Sequence, residues 1–257
     1  MNYICGAQTD IGIVKQTNQD SHCVKIAQSD KYGTLLFAAV CDGMGGLAKG
    51  ELASATVIKE FMYWFEFVLA DYLDKIEIDL NFINSEWGAM IKSLNDKIAN
   101  YGIQNGINLG TTLVMILGIG KKLFVANVGD SRLYRISDKV YRLTTDHSLV
   151  AQEIATGKLS PDAEETDSRR NVLLQCIGAS QSVSPEIKEY TMSENEVYLL
   201  CSDGFRHLIS EDELYGLLSP NVVRSEEGLT RTLADIVSLL MKRNERDNIT
   251  AVAIKTV

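Results

Sequence analysis

Proline, paired cysteines, basic clusters and long apolar runs are what this chain lacks, and each absence closes off a class of protein. Three prolines in 257 residues and no low-complexity run or internal repeat argue against extensive disorder. A net charge of −9 without any Lys/Arg cluster argues against binding a nucleic-acid backbone or an anionic membrane. The five cysteines, Cys5, Cys23, Cys41, Cys176 and Cys201, are scattered, odd in number and free of any C-x-x-C pair. A disulfide framework or zinc cluster is thereby disfavoured, and they read as reduced core residues. The N-terminal MNYICGAQTD has no basic stretch and too little apolar length for a signal peptide, which together with free thiols points to the cytoplasm. Phe61 to Leu73 is the most apolar helix candidate, but Glu66 and Asp71 interrupt it. It falls short of the ~20 residues a bilayer requires, so it is read as a core helix.

What is present is an ordinary globular composition, 46% hydrophobic and 23% charged, expected to form one domain over residues 1–257. The organising stretch is LLFAAVCDGMGG, Leu35 to Gly46, a short apolar run ending in Asp42 and a glycine-rich bend. A run of that length reads as a buried strand. An aspartate at its end, with Gly43, Gly45 and Gly46 letting the backbone come close to a ligand, suits a hard divalent cation. The competing reading is an N-capping aspartate at a strand-to-helix turn.

Strands are expected over Tyr3 to Val14, Ser21 to Ala27 and up to Asp42, with the turn Lys15 to Ser21 between the first two. In that turn, ordinary Asx chemistry accounts for Asn18 and Asp20. Two amphipathic helices follow, one carrying Leu52, Ala55, Ile58, Met62, Phe65 and Leu69, the other running from Phe82 to Tyr101 and closed by Gly102 and Gly106. Thr111 to Leu117, Lys122 to Val128, Arg132 to Ile136 and Val140 to Leu143 read as an antiparallel meander, with Asp130 in a tight turn. Residues 148–170 are polar and aperiodic apart from a short helix candidate, and read as a surface flap. Strands are expected at Val172 to Ile177, Glu186 to Tyr190 and Glu196 to Ser202, then helices over Glu211 to Leu218 and Leu229 to Lys242, where the basic end Lys242, Arg243 and Arg246 suits a helix C-terminus. Asp247 and Asn248 open a last strand, Ile249 to Thr256.

Asp42, Asp130, Asp203 and Asp247 thus each stand at the edge of an apolar strand. If they converge at one rim, their repulsion must be offset by cations. Oxygen-only ligation favours Mg²⁺ or Mn²⁺ over zinc.

The ordered series Lys15-x-x-Asn18-Gln19-Asp20, Val40-Cys41-Asp42-Gly43-Met44-Gly45-Gly46, Gly110-Thr111-Thr112, Asn127-Val128-Gly129-Asp130-Ser131-Arg132, Asp146-His147-Ser148, Arg170-Asn171-Val172-Leu173, Ser202-Asp203-Gly204 and Arg246-Asp247-Asn248-Ile249-Thr250 resembles the metal-dependent type 2C (PPM) protein phosphatases, in their compact bacterial branch. The resemblance covers nearly the whole chain. It implies an α+β fold, a four-layer αββα sandwich of two antiparallel sheets flanked by helix pairs. Asp42 then bridges two ions, with the Gly43 carbonyl on the second, while Asp203 and Asp247 hold the first. Asp130 with Asp203 corresponds to a third, weaker ion, and Asp20 to an acid that orients metal-bound water. Lys15 stands where a phosphate-binding arginine is usual. The mechanism implied is in-line attack by a water whose pKa the ion pair lowers, without a phosphoenzyme. None of the cysteines is followed by a phosphate loop ending in arginine, as a cysteine phosphatase needs.

Three departures qualify this. Met44 stands where eukaryotic relatives have a histidine and cannot donate a proton, Gln19 replaces a usual glutamate, and Lys15 replaces the arginine. His147 belongs to a motif resembling a structural turn. The sequence is therefore expected to encode a Mn²⁺- or Mg²⁺-dependent phosphatase of phosphoserine and phosphothreonine proteins, monomeric and opposing a bacterial Ser/Thr kinase. The alternative is a catalytically weak phosphoprotein-binding module on the same fold.

Overall fold

The computed structural model describes residues 1–44 and 49–257; Gly45 and Gly46 of the glycine-rich bend lie outside the described residues. Among the described residues there are ten strands: β1 (Tyr3–Asp10), β2 (Ser21–Ser29), β3 (Gly33–Cys41), β4 (Leu113–Ile119), β5 (Lys122–Val128), β6 (Arg132–Ile136), β7 (Val140–Arg142), β8 (Glu186–Thr191), β9 (Val197–Cys201) and β10 (Ile249–Thr256). They pair antiparallel into two sheets ordered β1-β10-β9-β6-β7 and β2-β3-β4-β5-β8. The helices are α1 (Gly50–Tyr63), α2 (Leu69–Leu73), α3 (Leu80–Asn105), α4 (Leu149–Ala155), α5 (Ala163–Thr166), α6 (Asp203–Arg206), α7 (Glu211–Leu218) and α8 (Glu226–Lys242), with a π-helical turn at Trp64–Val68 between the first two.

The continuous apolar run of β3 follows from burial on both of its faces. Leu35, Phe37, Ala39 and Cys41 pack with α1 and α3, whereas Leu36, Ala38 and Val40 meet Leu133, Leu200, Val252 and Ile254 of the opposite sheet. Alternation at period two sends successive side chains to different cores, and both are apolar. A third core, under α7 and α8, uses Leu199, Cys201, Leu233, Ile236 and Leu240. Helices, sheet, sheet and helices are therefore stacked in four layers, as expected.

Several local expectations are corrected. The meander is divided: β4 and β5 belong to one sheet, β6 and β7 to the other. Arg132 of β6 pairs with Cys201 of β9 instead of with β5, and Gly129 to Ser131 step across the ~10 Å between packed sheets. Val172 to Ile177 is no strand. Leu173 and Ile177 make only isolated bridges, to Ser148 and Thr111, while Val172 and Leu174 are exposed. Gly102 lies inside α3, which Gly106 ends in the left-handed region at φ 63°. Asp42 caps no helix, because α1 begins only at Gly50. Two short helices, α4 and α5, organise the flap, and the Ser148 side chain accepts from Ala151 N to cap the first.

Candidate functional site

Strand register brings the acids together. Ser21 pairs with Cys41, placing Asp20 and Asp42 side by side at one end of their sheet. In the other sheet Ala251 pairs with Cys201 and Cys201 with Arg132, so Asp203, Asp247 and Asp130 leave the same end. Asp42, Asp130, Asp203 and Asp247, with Lys15, Met44, Thr112, Asn171 and Leu173, line one cavity of about 210 Å³.

The backbone there is tightly held. Asp42 N donates to Thr112 Oγ1 (2.9 Å), and Asp42 O accepts from Thr112 N and Thr111 Oγ1, both at 2.9 Å. Gly43 fits because a Cβ at that position would lie 2.4 Å from the Gln19 carbonyl oxygen. Gly204 is required for the same kind of reason: a Cβ would lie 2.2 Å from the Asn248 carbonyl, so only glycine lets the Asp203 and Asp247 loops touch. Asn248 ties in the N-terminal turn. Its Nδ2 donates to Ile11 O (2.9 Å) and Thr17 O (3.2 Å), and its Oδ1 accepts from Gln19 N (2.9 Å).

The electrostatics show an excess of buried negative charge. Burial pushes the Asp42 carboxyl well above the usual range, and Asp20, Asp203, Asp130 and Asp247 push it further. Part of Asp42 nevertheless stays open to the cavity. Asp20 is raised to about 7, first by burial and then by Asp203. The hydroxyls of Thr250 and Ser202 draw it back, yet neither meets it in hydrogen-bond geometry: Thr250 Oγ1 pairs with Thr9 Oγ1 (2.7 Å), and Ser202 Oγ accepts from Thr250 N (3.0 Å). Both Asp20 oxygens and Asp203 Oδ1 are buried without a hydrogen-bond partner. Leaving such groups unpaired is costly, and a divalent cation would satisfy them. The donors are oxygens, which suits Mg²⁺ or Mn²⁺.

Among the described residues no three His, Cys, Asp or Glu side chains converge tightly enough to form a preassembled ion cage. Lys15 Nζ sits 2.6 Å from Asp247 Oδ1. Lys15 thus reaches the acids, and its ammonium is held above its ordinary pKa: burial opposes this, but the hydrogen bond to Asp247 and the charges of Asp247, Asp42 and Asp203 outweigh it. Gln19 Nε2 donates to Glu51 Oε2 (3.3 Å), so a carboxylate stands behind the neutral side chain.

His147 is kept out of the cavity. Its Nδ1 accepts from Gly129 N at 3.2 Å, in the structural role read from its motif, and it lines a separate cavity of about 330 Å³. Three partners escaped the sequence reading. His207 places Nε2 3.7 Å from Asp203 Oδ2 and Nδ1 3.8 Å from Glu245 Oε2. Glu245 Oε1 in turn accepts from the backbone N–H groups of Arg246 (2.7 Å) and Asp247 (3.0 Å), and Arg206 lies beside Asp130. The i, i+4 spacing of Asp203 and His207 on a helix was the one available signal.

The known proteins similar to this chain are phosphatases. A family model described as protein phosphatase 2C matches residues 13–252. The serine/threonine phosphatase Stp of Listeria innocua is 30% identical over 257 residues, covering 96% of this chain and 94% of that protein. The crystal structure of the serine/threonine phosphatase Stp1 from Staphylococcus aureus superposes with a TM-score of 0.84 at 27% identity, covering 98% of this chain and 94% of that one. The catalytic domain of the phosphatase PstP, solved in complex with 2 manganese ions, shares the fold at a TM-score of 0.74 and 24% identity, with 100% of both chains covered.

Proposed function

The chain belongs to the protein phosphatase 2C family and is a protein serine/threonine phosphatase, and from that premise we propose that it hydrolyses phosphoserine and phosphothreonine in proteins with divalent cations held by its rim of aspartates. The observation that carries the reading is the meeting, in one cavity, of Asp42, Asp130, Asp203 and Asp247 from four separate strand ends.

Asp42, the Gly43 carbonyl, Asp203 and Asp247 are the groups that would hold two Mn²⁺ or Mg²⁺ ions. When bound, such a pair acidifies water and offsets the charge of the phosphoryl oxygens. Asp20, whose buried carboxylate oxygens lie outside the lining of that cavity, would act by orienting the attacking water. Lys15 supplies a positive charge at the cavity for the phosphoryl group, exchanging its partner Asp247 for substrate. Met44 lines the cavity and donates no proton, so protonation of the leaving oxygen falls to solvent or another group. The flap at residues 148–170 contributes to the choice among phosphoproteins, with a bacterial-type Ser/Thr kinase as the opposing activity and a cytoplasmic monomer as the working form. Among the described residues no helix is long and apolar enough to cross a membrane.

The test is release of phosphate from p-nitrophenyl phosphate and from a phosphothreonine peptide, with and without Mn²⁺ and EDTA. Mn²⁺-dependent turnover of both, abolished by EDTA, is expected. Peptide binding without turnover would favour the phosphoprotein-binding module instead.

A further inference from the structure

A second cavity, of about 380 Å³, lies beside the aspartate-lined one and shares Lys15, Asn171 and Asp247 with it. Away from those residues its walls change character. Val14 and Leu208 line it, and they are 49% and 36% exposed. Each is the chain neighbour of a residue that reaches the acids. Val14 precedes Lys15, whose Nζ meets Asp247 Oδ1, and Leu208 follows His207, whose Nε2 lies 3.7 Å from Asp203 Oδ2. Apolar surface therefore begins one residue away from the groups that would surround a phosphoryl group.

Both side chains stand on tethered backbone. Asn248 Nδ2 donates to Ile11 O and Thr17 O, so one side chain holds the two ends of the turn that carries Val14. Within that turn Gly12 packs so closely that a Cβ there would lie 2.3 Å from the Asp247 carbonyl oxygen. Leu208 O accepts from Arg243 Nη1 at 2.6 Å, and the same nitrogen donates to Glu213 Oε2 at 2.9 Å. A single exposed leucine or valine needs no explanation, whereas two that line one cavity continuous with the reaction site mark a place where something apolar docks.

From this placement we propose that the second cavity is a substrate subsite, which takes an apolar side chain of the phosphoprotein a few residues at most from the phosphorylated serine or threonine. The proposal rests on the hydrolysis of phosphoserine and phosphothreonine proteins put forward above and deepens it. A phosphorylated residue whose phosphoryl group enters the aspartate cavity carries polypeptide on both sides, and neighbours in extended chain are only ~3.3 Å apart. Because the two cavities share Lys15, Asn171 and Asp247, the arm that leaves on that side meets Val14 and Leu208. An apolar side chain seated there takes its own surface and theirs out of water. Arg170 and Arg246 also line the cavity, which makes an acidic residue the competing occupant.

The test is a set of phosphothreonine peptides of one parent sequence, with Leu, Ala or Glu placed in turn at each of the three positions on either side of the phosphothreonine. The kcat/KM for phosphate release is measured at fixed Mn²⁺ for wild type, Val14→Ser, Leu208→Ser and the double variant. At one position wild type should prefer Leu to Ala by about fivefold, as expected for partial burial of one leucine side chain, and should prefer it to Glu as well. The double variant should prefer Leu to Ala there by less than about twofold. Each ratio compares two peptides on the same enzyme, so changes in metal content or folded fraction cancel. A wild type that favours Leu over Ala by less than about twofold at every position would overturn the proposal. So would a stronger preference for Glu than for Leu at the selective position, or a Leu preference that survives in the double variant. Should the double variant fail to fold, Val14→Ser, in its exposed turn, decides by the same ratio. If wild type releases phosphate neither from p-nitrophenyl phosphate nor from any peptide, the underlying hydrolysis falls and the subsite with it, a result distinct from turnover without a leucine preference.

Discussion

Asp146 and Asp20 are buried carboxylates near the same rim of the sandwich, and the protein treats them in opposite ways. Burial would raise both. Asp146 is instead held below the usual carboxylate range, because Arg132, Arg206 and Arg142 surround it. Arg132 alone gives it three hydrogen bonds, at 3.1, 3.2 and 2.8 Å. Asp20 has no hydrogen-bond partner on either oxygen and rises to about 7. Where the chain supplies guanidinium groups the acids fasten β6, β7 and the flap together. Where it withholds them the acids carry unpaired charge that an external cation can answer. Asp130 stands between the two sets: burial and Asp203 raise it to about 7, although Arg206 and Arg132 pull it down.

The largest effect that would sharpen this contrast is on stability. Asp146→Ala takes from buried Arg132 and half-buried Arg142 the carboxylate that both grip most closely, and breaking such a network costs roughly 3–5 kcal/mol. Urea unfolding in EDTA should show that loss; a change below about 1 kcal/mol would mean the cluster is not structural. The converse variants are Asp42→Ala and Asp247→Ala, each removing a ligand that no neighbour replaces. Turnover at saturating Mn²⁺ should fall about 10²-fold or more, while unfolding of metal-free Asp42→Ala should be no easier than for wild type, since a charge with no guanidinium beside it has been removed. The contrast breaks if Asp42→Ala destabilises the metal-free protein as much as Asp146→Ala does.

A smaller effect is expected on the pH dependence of the metal-free protein. A carboxyl whose folded pKa is raised keeps its proton in the folded state after the unfolded chain has released it. Stability from Asp20 and Asp130 is therefore greatest below the ordinary carboxylate range and is lost as pH rises toward about 7. Asp146, with a lowered pKa, contributes stability above that range and loses it only as pH falls through its folded value. His22, His147 and His207, all lowered by burial, add stability as pH rises through their range. Subtracting Asp20→Asn from wild type cancels the histidines. In EDTA the stability difference between the two should move in favour of the variant by about 2 kcal/mol between pH 5 and 8. A difference that stays flat with pH would remove Asp20 from the unpaired set.

Asp42 and Asp203 were legible in the sequence, whereas Asp20 and the paired acids were far less so. Asp42 and Asp203 each close an apolar strand and precede glycine, a local pattern that survives without knowing what the strand pairs with. Pairing partners are a tertiary property. That β6 leaves β5 for β9 depends on a strand more than 60 residues later, which periodicity cannot reveal. Val172 to Ile177 shows the opposite failure, an apolar pattern that makes only the isolated bridges of Leu173 and Ile177. Asn248 and Arg206 act on residues far away in the chain, Ile11 and Asp130, so neither role is visible in local sequence. Asp146 and Arg132 were visible only as parts of family motifs.

Lys15 belongs to neither set, and it gives the smallest effect. Its ammonium contacts Asp247 Oδ1 at 2.6 Å, as the arginines contact Asp146, but the two side chains are 28% and 36% exposed. An exposed pair is worth only about 0–1 kcal/mol, so Asp247 can be given up when a better anion arrives. A phosphoryl group is such an anion. Lysine meets it with one hydrated point charge on a flexible stem, whereas arginine would offer a planar fork to two oxygens. One further charge-assisted hydrogen bond is worth roughly 1.5–3 kcal/mol before lost solvation and packing are discounted. The net gain should be ~1 kcal/mol, or about fivefold. Lys15→Arg should therefore lower KM for p-nitrophenyl phosphate by about that factor with less change in kcat, because the ground state already carries the charge being recognised. Lys15→Ala should raise KM strongly and free Asp247 at the same time. Steady-state kinetics at fixed Mn²⁺ separate a phosphoryl-binding lysine from a solvated turn residue: if Lys15→Ala stays within about twofold of wild type in both constants, Lys15 serves only Asp247.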